Sequence, residues 1–185
     1  LVFPGHTHLP MANAAPDLTD RLIMLTASTK TFNIAGAHLG NMIVPDKALR
    51  AVLAGRLKAF GLSPHAFGMH MVTAAYSPEG AKWVDALMEY LDGNRRLLDD
   101  ALNAIPGVRS MPLEATYLAW VDFSGTGMSH AEISNRIGKT ARIAASPGPS
   151  FGTGGETCMR FNFATPRARV KEAAARLRDA FSDLQ

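Results

Sequence analysis

The sequence has little cysteine, little excess charge and no long apolar run, and each shortage excludes a class of protein. Cys158 is the only cysteine among 185 residues, so the chain cannot form an intramolecular disulfide, which fits a reducing compartment and predicts a cytoplasmic location. No apolar stretch approaches the roughly 20 residues of a membrane-spanning helix, and the printed residues contain no basic-then-apolar leader. The net charge of +3 is small and the basic residues are interspersed with acidic ones, which indicates neither nucleic acid nor a membrane surface as partner.

The first residue is also unusual. The chain begins with Leu1 rather than methionine, inside the loop-like segment LVFPGHTHLP. We therefore expect the numbering to start partway through a larger protein.

Short apolar segments alternate with amphipathic ones, and this alternation predicts an α/β fold. Residues 21–26 and 38–44 are apolar and short enough for buried strands. The segment DKALRAVLAGRLKAF then predicts a helix that ends at Gly61.

Two Ser-Pro pairs predict helix starts, because serine is a good N-cap and proline suits the first helical position. They are Ser63–Pro64 and Ser77–Pro78, and the second opens a long helix to about Ala104. That helix has an apolar stripe at helical spacing, made of Trp83, Leu87, Tyr90, Leu91, Leu97, Leu98 and Leu102.

The C-terminal part predicts a small α/β domain from about residue 90 onward. Residues 116–123 and 158–164 are strand-like, and Ser129 with Glu132 forms a capping box that opens a helix over SHAEISNRIGKT (129–140). Thr165–Pro166 opens a last helix whose apolar face carries Val170, Ala173, Ala174, Leu177, Phe181 and Leu184.

A single lysine, Lys30, lies among hydroxyl side chains directly after an apolar segment. The stretch TASTKTFNIAG (26–36) surrounds it with Thr26, Ser28, Thr29 and Thr31. A phosphate group needs several donors at close range, which hydroxyls and backbone N–H groups in a loop supply. On residue type alone Lys30 is either a solvated charge at a strand end or a lysine that forms a Schiff base beside a phosphate site.

Three segments resemble one enzyme family, in the family's order. TASTKTFNIAG (26–36) is similar to the cofactor-lysine segment of fold-type I pyridoxal-phosphate (PLP) enzymes of the class I/II aminotransferase superfamily, in the variant of MalY/PatB-type cystathionine β-lyases. PLEATYLAWVDF (112–123) resembles a strand of that family's C-terminal domain. PGPSFGTGGETCMRFNFATPRARV (147–170) resembles its substrate-arginine segment.

The resemblance implies roles for individual residues. Lys30 would bind the PLP cofactor covalently and act as the catalytic group, and Arg160 would hold the α-carboxylate of an amino-acid substrate. Thr29 would be the foremost phosphate contact, with Thr26 and Ser28 as further cofactor-binding candidates. An arginine fork suits this task because it binds a carboxylate bidentately. The resemblance also implies a homodimer.

The resemblance also implies a domain organisation. Residues 1–76 would be the end of a large mixed-sheet cofactor domain, residues 77–104 a connecting helix, and residues 105–185 a small C-terminal α/β domain. The family's ring-stacking aromatic, an Asn and the Asp that pairs with the pyridine nitrogen would lie before Leu1. These 185 residues alone would then be the C-terminal half of an enzyme and not a competent catalyst.

The implied reaction is α,β-elimination from an amino acid with a sulfur leaving group, such as cystathionine, giving pyruvate, ammonia and a thiol. An aminotransferase with the same lysine and arginine is the alternative, because both reactions begin by removing the α-proton. A second alternative is the non-catalytic ligand-binding domain of a transcription regulator.

Other candidate residues favour ordinary roles. His6 and His8 form an H-x-H pair without an evident carboxylate or cysteine partner, so we predict a loop and no metal site. His38 occupies the place where many aminotransferases have a phosphate-binding arginine. Cys158 is interpreted as a small packing residue. The glycines Gly152, Gly154 and Gly155 predict a flexible turn near the site rather than a nucleotide loop.

Overall fold

The computed structural model describes residues 1–184 and divides the chain into two compact units. One unit is Thr7–Ala86, and the other combines Leu1–His6 with Leu87 and the described residues that follow it. Each unit contains helices and a small sheet, so the α/β class predicted from the sequence is confirmed. None of the helices within residues 1–184 is long and apolar enough to cross a membrane.

The Thr7–Ala86 unit has a two-stranded antiparallel sheet and several helices. Its elements are α1 (Met11–Ala14), a 3₁₀ turn (Pro16–Arg21), β1 (Met24–Thr26), α2 (Ser28–Thr31), a second 3₁₀ turn (Ala35–Ala37), β2 (Asn41–Ile43), α3 (Lys47–Ala59), α4 (Ala66–Ala75) and the start of α5 (Pro78–Asn103).

The strands predicted over 21–26 and 38–44 form in part, but they are not buried. Leu25 lies opposite Met42 in the pairing of β1 with β2, and these side chains are 69% and 51% exposed. Successive side chains of a strand point to opposite faces, and a two-stranded sheet packed on one side leaves its other face open. The expectation of buried strands was therefore wrong, because apolar runs do not specify how many faces are covered.

Helix α3 agrees with the sequence, whereas the start of α4 does not. Asp46 caps α3 by accepting a hydrogen bond from the Leu49 N–H at 2.7 Å. Ser63 was expected to cap the next helix, but His65 does so, its Nδ1 accepting from the Gly68 N–H at 3.0 Å. The prediction failed because His65 also reaches the Ala37 carbonyl oxygen through Nε2, a contact between residues far apart in sequence.

The long helix α5 begins as predicted. The Ser77 hydroxyl accepts a hydrogen bond from the Gly80 N–H at 3.1 Å, with Pro78 at the first helical position. Of the predicted apolar stripe, the C-terminal leucines Leu91, Leu98 and Leu102 are buried, whereas Trp83 and Tyr90 are exposed.

The second unit contains a four-stranded antiparallel sheet in the order β3-β4-β6-β5. Its elements after α5 are β3 (Arg109–Ser110), β4 (Leu118–Asp122), a 3₁₀ turn (Ser124–Thr126), α6 (His130–Asn135), a π-helical turn (Arg136–Thr140), β5 (Ser146–Pro147), a 3₁₀ turn (Gly148–Phe151), β6 (Cys158–Asn162), α7 (Arg167–Ala180) and a last 3₁₀ turn (Ser182–Leu184).

The capping residues in the sequence predicted the starts of α6 and α7 to within one residue. Ser129 caps α6 by accepting from the Glu132 N–H at 3.3 Å, as predicted. Helix α7 starts one residue later than expected, with Pro166 at its N-cap. The helix predicted to continue to Thr140 instead changes to a π-helical turn after Asn135.

One face of the four-stranded sheet packs on the helices. Ala119 and Val121 of β4 and Met159 and Phe161 of β6 point into the core. Because side chains alternate along a strand, the intervening residues face the other side of the sheet. The helical contribution to this core includes Leu91, Leu98, Leu102, Ile133, Ile137, Val170, Leu177 and Phe181.

A buried amide joins α5 to the start of α7. Asn94 is fully buried, and its Nδ2 donates to the carbonyl oxygens of Phe163 at 3.0 Å and Thr165 at 2.8 Å. Its Oδ1 accepts from Arg167 Nε at 2.7 Å. Without this amide, the Thr165 carbonyl oxygen and the Arg167 Nε would lose a hydrogen-bond partner, whereas the Phe163 carbonyl oxygen would keep the Thr165 N–H at 2.8 Å.

We expect Asn94→Ala to destabilise the protein by about 2–4 kcal/mol, because an unsatisfied buried polar group costs about 1–3 kcal/mol and more than one is created. Asn135→Ala, at an exposed helical position, is the matched control and should change stability by less than about 0.5 kcal/mol. Urea unfolding of both variants tests this, and equal midpoints would contradict it.

Candidate active site

Lys30 lies on a short helix directly after strand β1. Strand β1 ends at Thr26, and α2 contains Ser28, Thr29, Lys30 and Thr31. The Lys30 side chain is exposed, whereas Ser28 and Thr29 are buried. The helix is short because Asn33, at φ 54°, adopts the left-handed conformation that ends it. The sequence therefore located the lysine correctly at the end of a strand.

The hydroxyl of Ser28 is buried and has no hydrogen-bond partner within residues 1–184. Buried polar groups almost always have a partner, so this orphaned hydroxyl is a point where a ligand can donate or accept. Thr26 differs, because its Oγ1 lies 3.4 Å from Asn41 Nδ2. Asn41 also lies 3.4 Å from the Tyr76 hydroxyl, and sequence reasoning missed both residues.

A cavity of about 490 Å³ opens beside α2. Thr26 and Ser28 contribute to its wall, but Thr29 and Lys30 do not, so the structure brings together only two of the three predicted phosphate contacts. Asp85 adds a carboxylate to the wall. The lining residues are Thr26, Ala27, Ser28, Thr31, Phe32, Ala75, Tyr76, Ser77, Ala81, Val84 and Asp85.

Arg160 lies in the middle of strand β6, in the other unit, with a cross-strand neighbour on each side. Trp120 of β4 and Ser146 of β5 are directly opposite it. Its Nη2 donates to Ser146 Oγ at 3.3 Å, and its guanidinium carbon lies 4.5 Å from the centre of the Phe151 ring. The side chain is half-buried.

No carboxylate forms an ion pair with Arg160 in the described part of the chain. Asp122, two residues beyond Trp120 on β4, accepts from the Ser124 N–H at 2.8 Å and from Thr157 Oγ1 at 3.0 Å. Burial alone would raise the pKa of Asp122, but these hydrogen bonds outweigh it and lower the pKa. The guanidinium therefore retains N–H donors for a carboxylate from a ligand.

The glycine-rich segment predicted as a flexible turn has a defined packing role. Gly148 and Gly155 approach so closely that a Cβ on Gly148 would lie 2.1 Å from the Gly155 carbonyl oxygen. Gly152, at φ 115°, follows Phe151 in a conformation that favours glycine. This close backbone contact closes the loop that carries Phe151 towards Arg160.

Cys158 is buried. Burial, and after it the negative charge of Asp122, raises the pKa of its thiol, which disfavours the nucleophilic thiolate. This agrees with its interpretation as a packing residue.

The histidines of interest lie on the surface. His6 Nδ1 is 3.8 Å from the Glu114 carboxylate, a partner that the sequence did not indicate because the two residues are far apart along the chain. His8 is exposed, and His38 is exposed at φ 44°.

Comparison with known proteins agrees with the segments that carry the resemblance. The sequence model of the family "Aminotransferase class I and II" matches residues 2–177. Cystathionine beta-lyase PatB of Bacillus subtilis is 36% identical over 184 residues, which are 98% of this chain and 47% of PatB. An aspartate aminotransferase of Pyrococcus horikoshii is 26% identical over 179 residues, 97% of this chain and 45% of that protein.

A solved structure gives the same result. The crystal structure of cystalysin from Treponema denticola, which contains a pyridoxal 5'-phosphate cofactor, superposes with a TM-score of 0.90 and 31% identity. The match covers all of this chain and 47% of cystalysin, so the chain spans about half the length of the relatives it matches. The expected fold, that of part of a fold-type I enzyme, is confirmed. The chain belongs to the aminotransferase class I and II family.

Proposed function

We propose that the full-length protein is a PLP-dependent carbon–sulfur β-lyase that converts an amino acid with a sulfur leaving group into pyruvate, ammonia and a thiol. The observation that carries the choice of reaction is the 36% identity to cystathionine beta-lyase PatB along 98% of this chain. The free donors of Arg160 and the orphaned Ser28 hydroxyl beside Lys30 support it.

The residues around Lys30 fit a phosphate-bearing cofactor. The Ser28 hydroxyl is buried without a partner within residues 1–184, and Thr26 lines the same cavity. A phosphate oxygen that accepted from Ser28 would satisfy a group whose burial otherwise costs free energy. We therefore assign Ser28 and Thr26 to the phosphate, keep Thr29 as a further candidate, and assign the covalent bond with PLP to Lys30.

The mechanism assigns one task to each functional side chain. Arg160 binds the α-carboxylate through parallel N–H donors and so orients the amino acid. When bound, PLP supplies a ring that accepts the electron pair left at Cα. The Lys30 amine would remove the α-proton as a general base. As the Cβ–S bond breaks, the Lys30 ammonium would return the proton to the departing sulfur, so that it leaves as the thiol. Hydrolysis of the remaining enamine by one water would then give pyruvate and ammonia.

We also propose a domain organisation and an assembly. Residues 1–76 would belong to the cofactor domain, residues 77–104 to a connecting helix and residues 105–185 to the small domain. Large apolar side chains of the Thr7–Ala86 unit are exposed, Phe67 by 78% and Phe60 by 75%. Such side chains fit a surface that the rest of the full-length protein or a second copy covers, and the family resemblance carries the proposal of a homodimer. A single buried thiol suits the reducing cytoplasm.

Transamination is the second candidate, because a relative at 26% identity is an aspartate aminotransferase. It would use Lys30 and Arg160 in the same way up to proton removal. A non-catalytic ligand-binding domain of a transcription regulator is a third possibility, which measurable turnover would exclude.

Lys30 should carry the cofactor. Sodium borohydride treatment of the PLP-loaded full-length protein should attach the cofactor irreversibly to the peptide that contains Lys30, and the attached cofactor serves as the label. Lys30→Ala should abolish turnover, whereas Lys58→Ala, at an exposed position of α3, should leave labelling unchanged. Peptide mapping that located the label on a different lysine would refute this role.

Arg160 should control substrate binding. A hydrogen bond to a charged group contributes about 1.5–3 kcal/mol, so Arg160→Ala should lower kcat/KM about 10- to 160-fold, mainly through KM. Arg169→Ala is the matched control, because Arg169 is exposed and pairs with Glu172. Steady-state kinetics of both variants test this. An unchanged KM for the amino-acid substrate in Arg160→Ala would show that Arg160 does not bind the substrate.

The acceptor requirement should separate the two reactions. With cystathionine as the only substrate, a β-lyase releases pyruvate and thiol continuously, and 2-oxoglutarate has no effect. An aminotransferase needs the keto acid, because its cofactor otherwise stops in the amine form after one turnover. We expect continuous release of both products. A single stoichiometric burst would contradict the lyase assignment and favour transamination.

A further inference from the structure

The aromatic contact on Arg160 has a role beyond covering apolar surface. An arginine side chain has many rotamers, and a half-buried one keeps much of that freedom unless neighbours restrict it. The single hydrogen bond to Ser146, at 3.3 Å, restrains one end of the guanidinium. Bidentate binding of a carboxylate requires that the plane of the group also be fixed.

Phe151 supplies the second restraint. Its ring centre lies 4.5 Å from the Arg160 guanidinium carbon, which is within the range of a cation–π contact. A guanidinium that lies parallel to the ring makes such a contact through its face, whereas hydrogen bonds to a carboxylate use its N–H edge. The ring can therefore hold the group without competing for its donors.

Phe151 is itself held in place from two sides. The Trp120 ring meets it edge-to-face, with centroids 5.5 Å apart and planes at 80°, a preferred arrangement of aromatic pairs. The contact between Gly148 and Gly155 closes the loop behind it. Phe151 nevertheless remains 49% exposed. Burial of its own apolar surface therefore does not explain why its ring packs between Trp120 and Arg160.

We propose that Phe151 is a positioning residue that fixes the Arg160 guanidinium in the plane needed to bind the substrate carboxylate, with Trp120 holding the ring. This inference rests on the proposed role of Arg160. It assigns Phe151 no contact with the reacting atoms, and its effect on the reaction passes through Arg160.

Phe151→Leu and Phe151→Tyr in the PLP-loaded full-length protein test this inference. Leucine keeps an apolar side chain but removes the aromatic face, so KM for the amino-acid substrate should rise about 2- to 30-fold, the range of a cation–π contact. The value of kcat and the visible absorbance of the bound cofactor should change much less. Tyrosine keeps the aromatic face, so its KM should stay within about twofold of the wild-type value. An unchanged KM in Phe151→Leu, or an equal rise in both variants, would overturn the proposal.

A double-mutant cycle distinguishes this inference from the role of Arg160 itself. If Phe151 acts through Arg160, Phe151→Leu should have no further effect on KM in the Arg160→Ala background. Additive effects would show that Phe151 acts by another route and would overturn the inference alone. If Arg160→Ala left KM unchanged, the proposed role of Arg160 would fail first.

Discussion

The pairing register of β6 with its two neighbours is the constraint on which the proposed substrate-binding part of the structure depends. Arg160 faces away from the core only because Met159 and Phe161, on either side of it, point into the core. A shift of one residue would exchange the two faces of the strand, burying the arginine and exposing two large apolar side chains. Core packing therefore fixes where the guanidinium is presented and which residues stand beside it.

At the Lys30 segment, the informative feature is a buried hydroxyl without a partner rather than a strand register. The short helix of this segment buries Ser28 and Thr29 and leaves the lysine exposed. An unsatisfied buried hydroxyl costs free energy, and functional sites are where such costs are commonly found. The orphaned Ser28 hydroxyl thus supports a ligand site more strongly than the lysine does by itself.

Predictions from the sequence succeeded where local chemistry decides the structure. Ser77 and Ser129 cap helices as their sequence contexts indicate, and Lys30 follows a strand. They failed where distant residues decide, as when His65 replaces Ser63 as the cap because it also contacts Ala37. The three-way contact of Arg160 with Ser146 and Phe151 was not predictable, because only the strand register and the glycine loop bring these residues together.

The central claim is that this chain supplies the group that removes the α-proton of an amino acid. L-Alanine tests it directly, because its β-carbon has no leaving group and elimination is impossible. In D₂O, the PLP-loaded full-length protein should exchange the α-hydrogen of L-alanine for deuterium, which NMR detects. Lys30→Ala should lose this exchange, whereas the control Lys58→Ala should keep it. Undiminished exchange in Lys30→Ala would contradict the account.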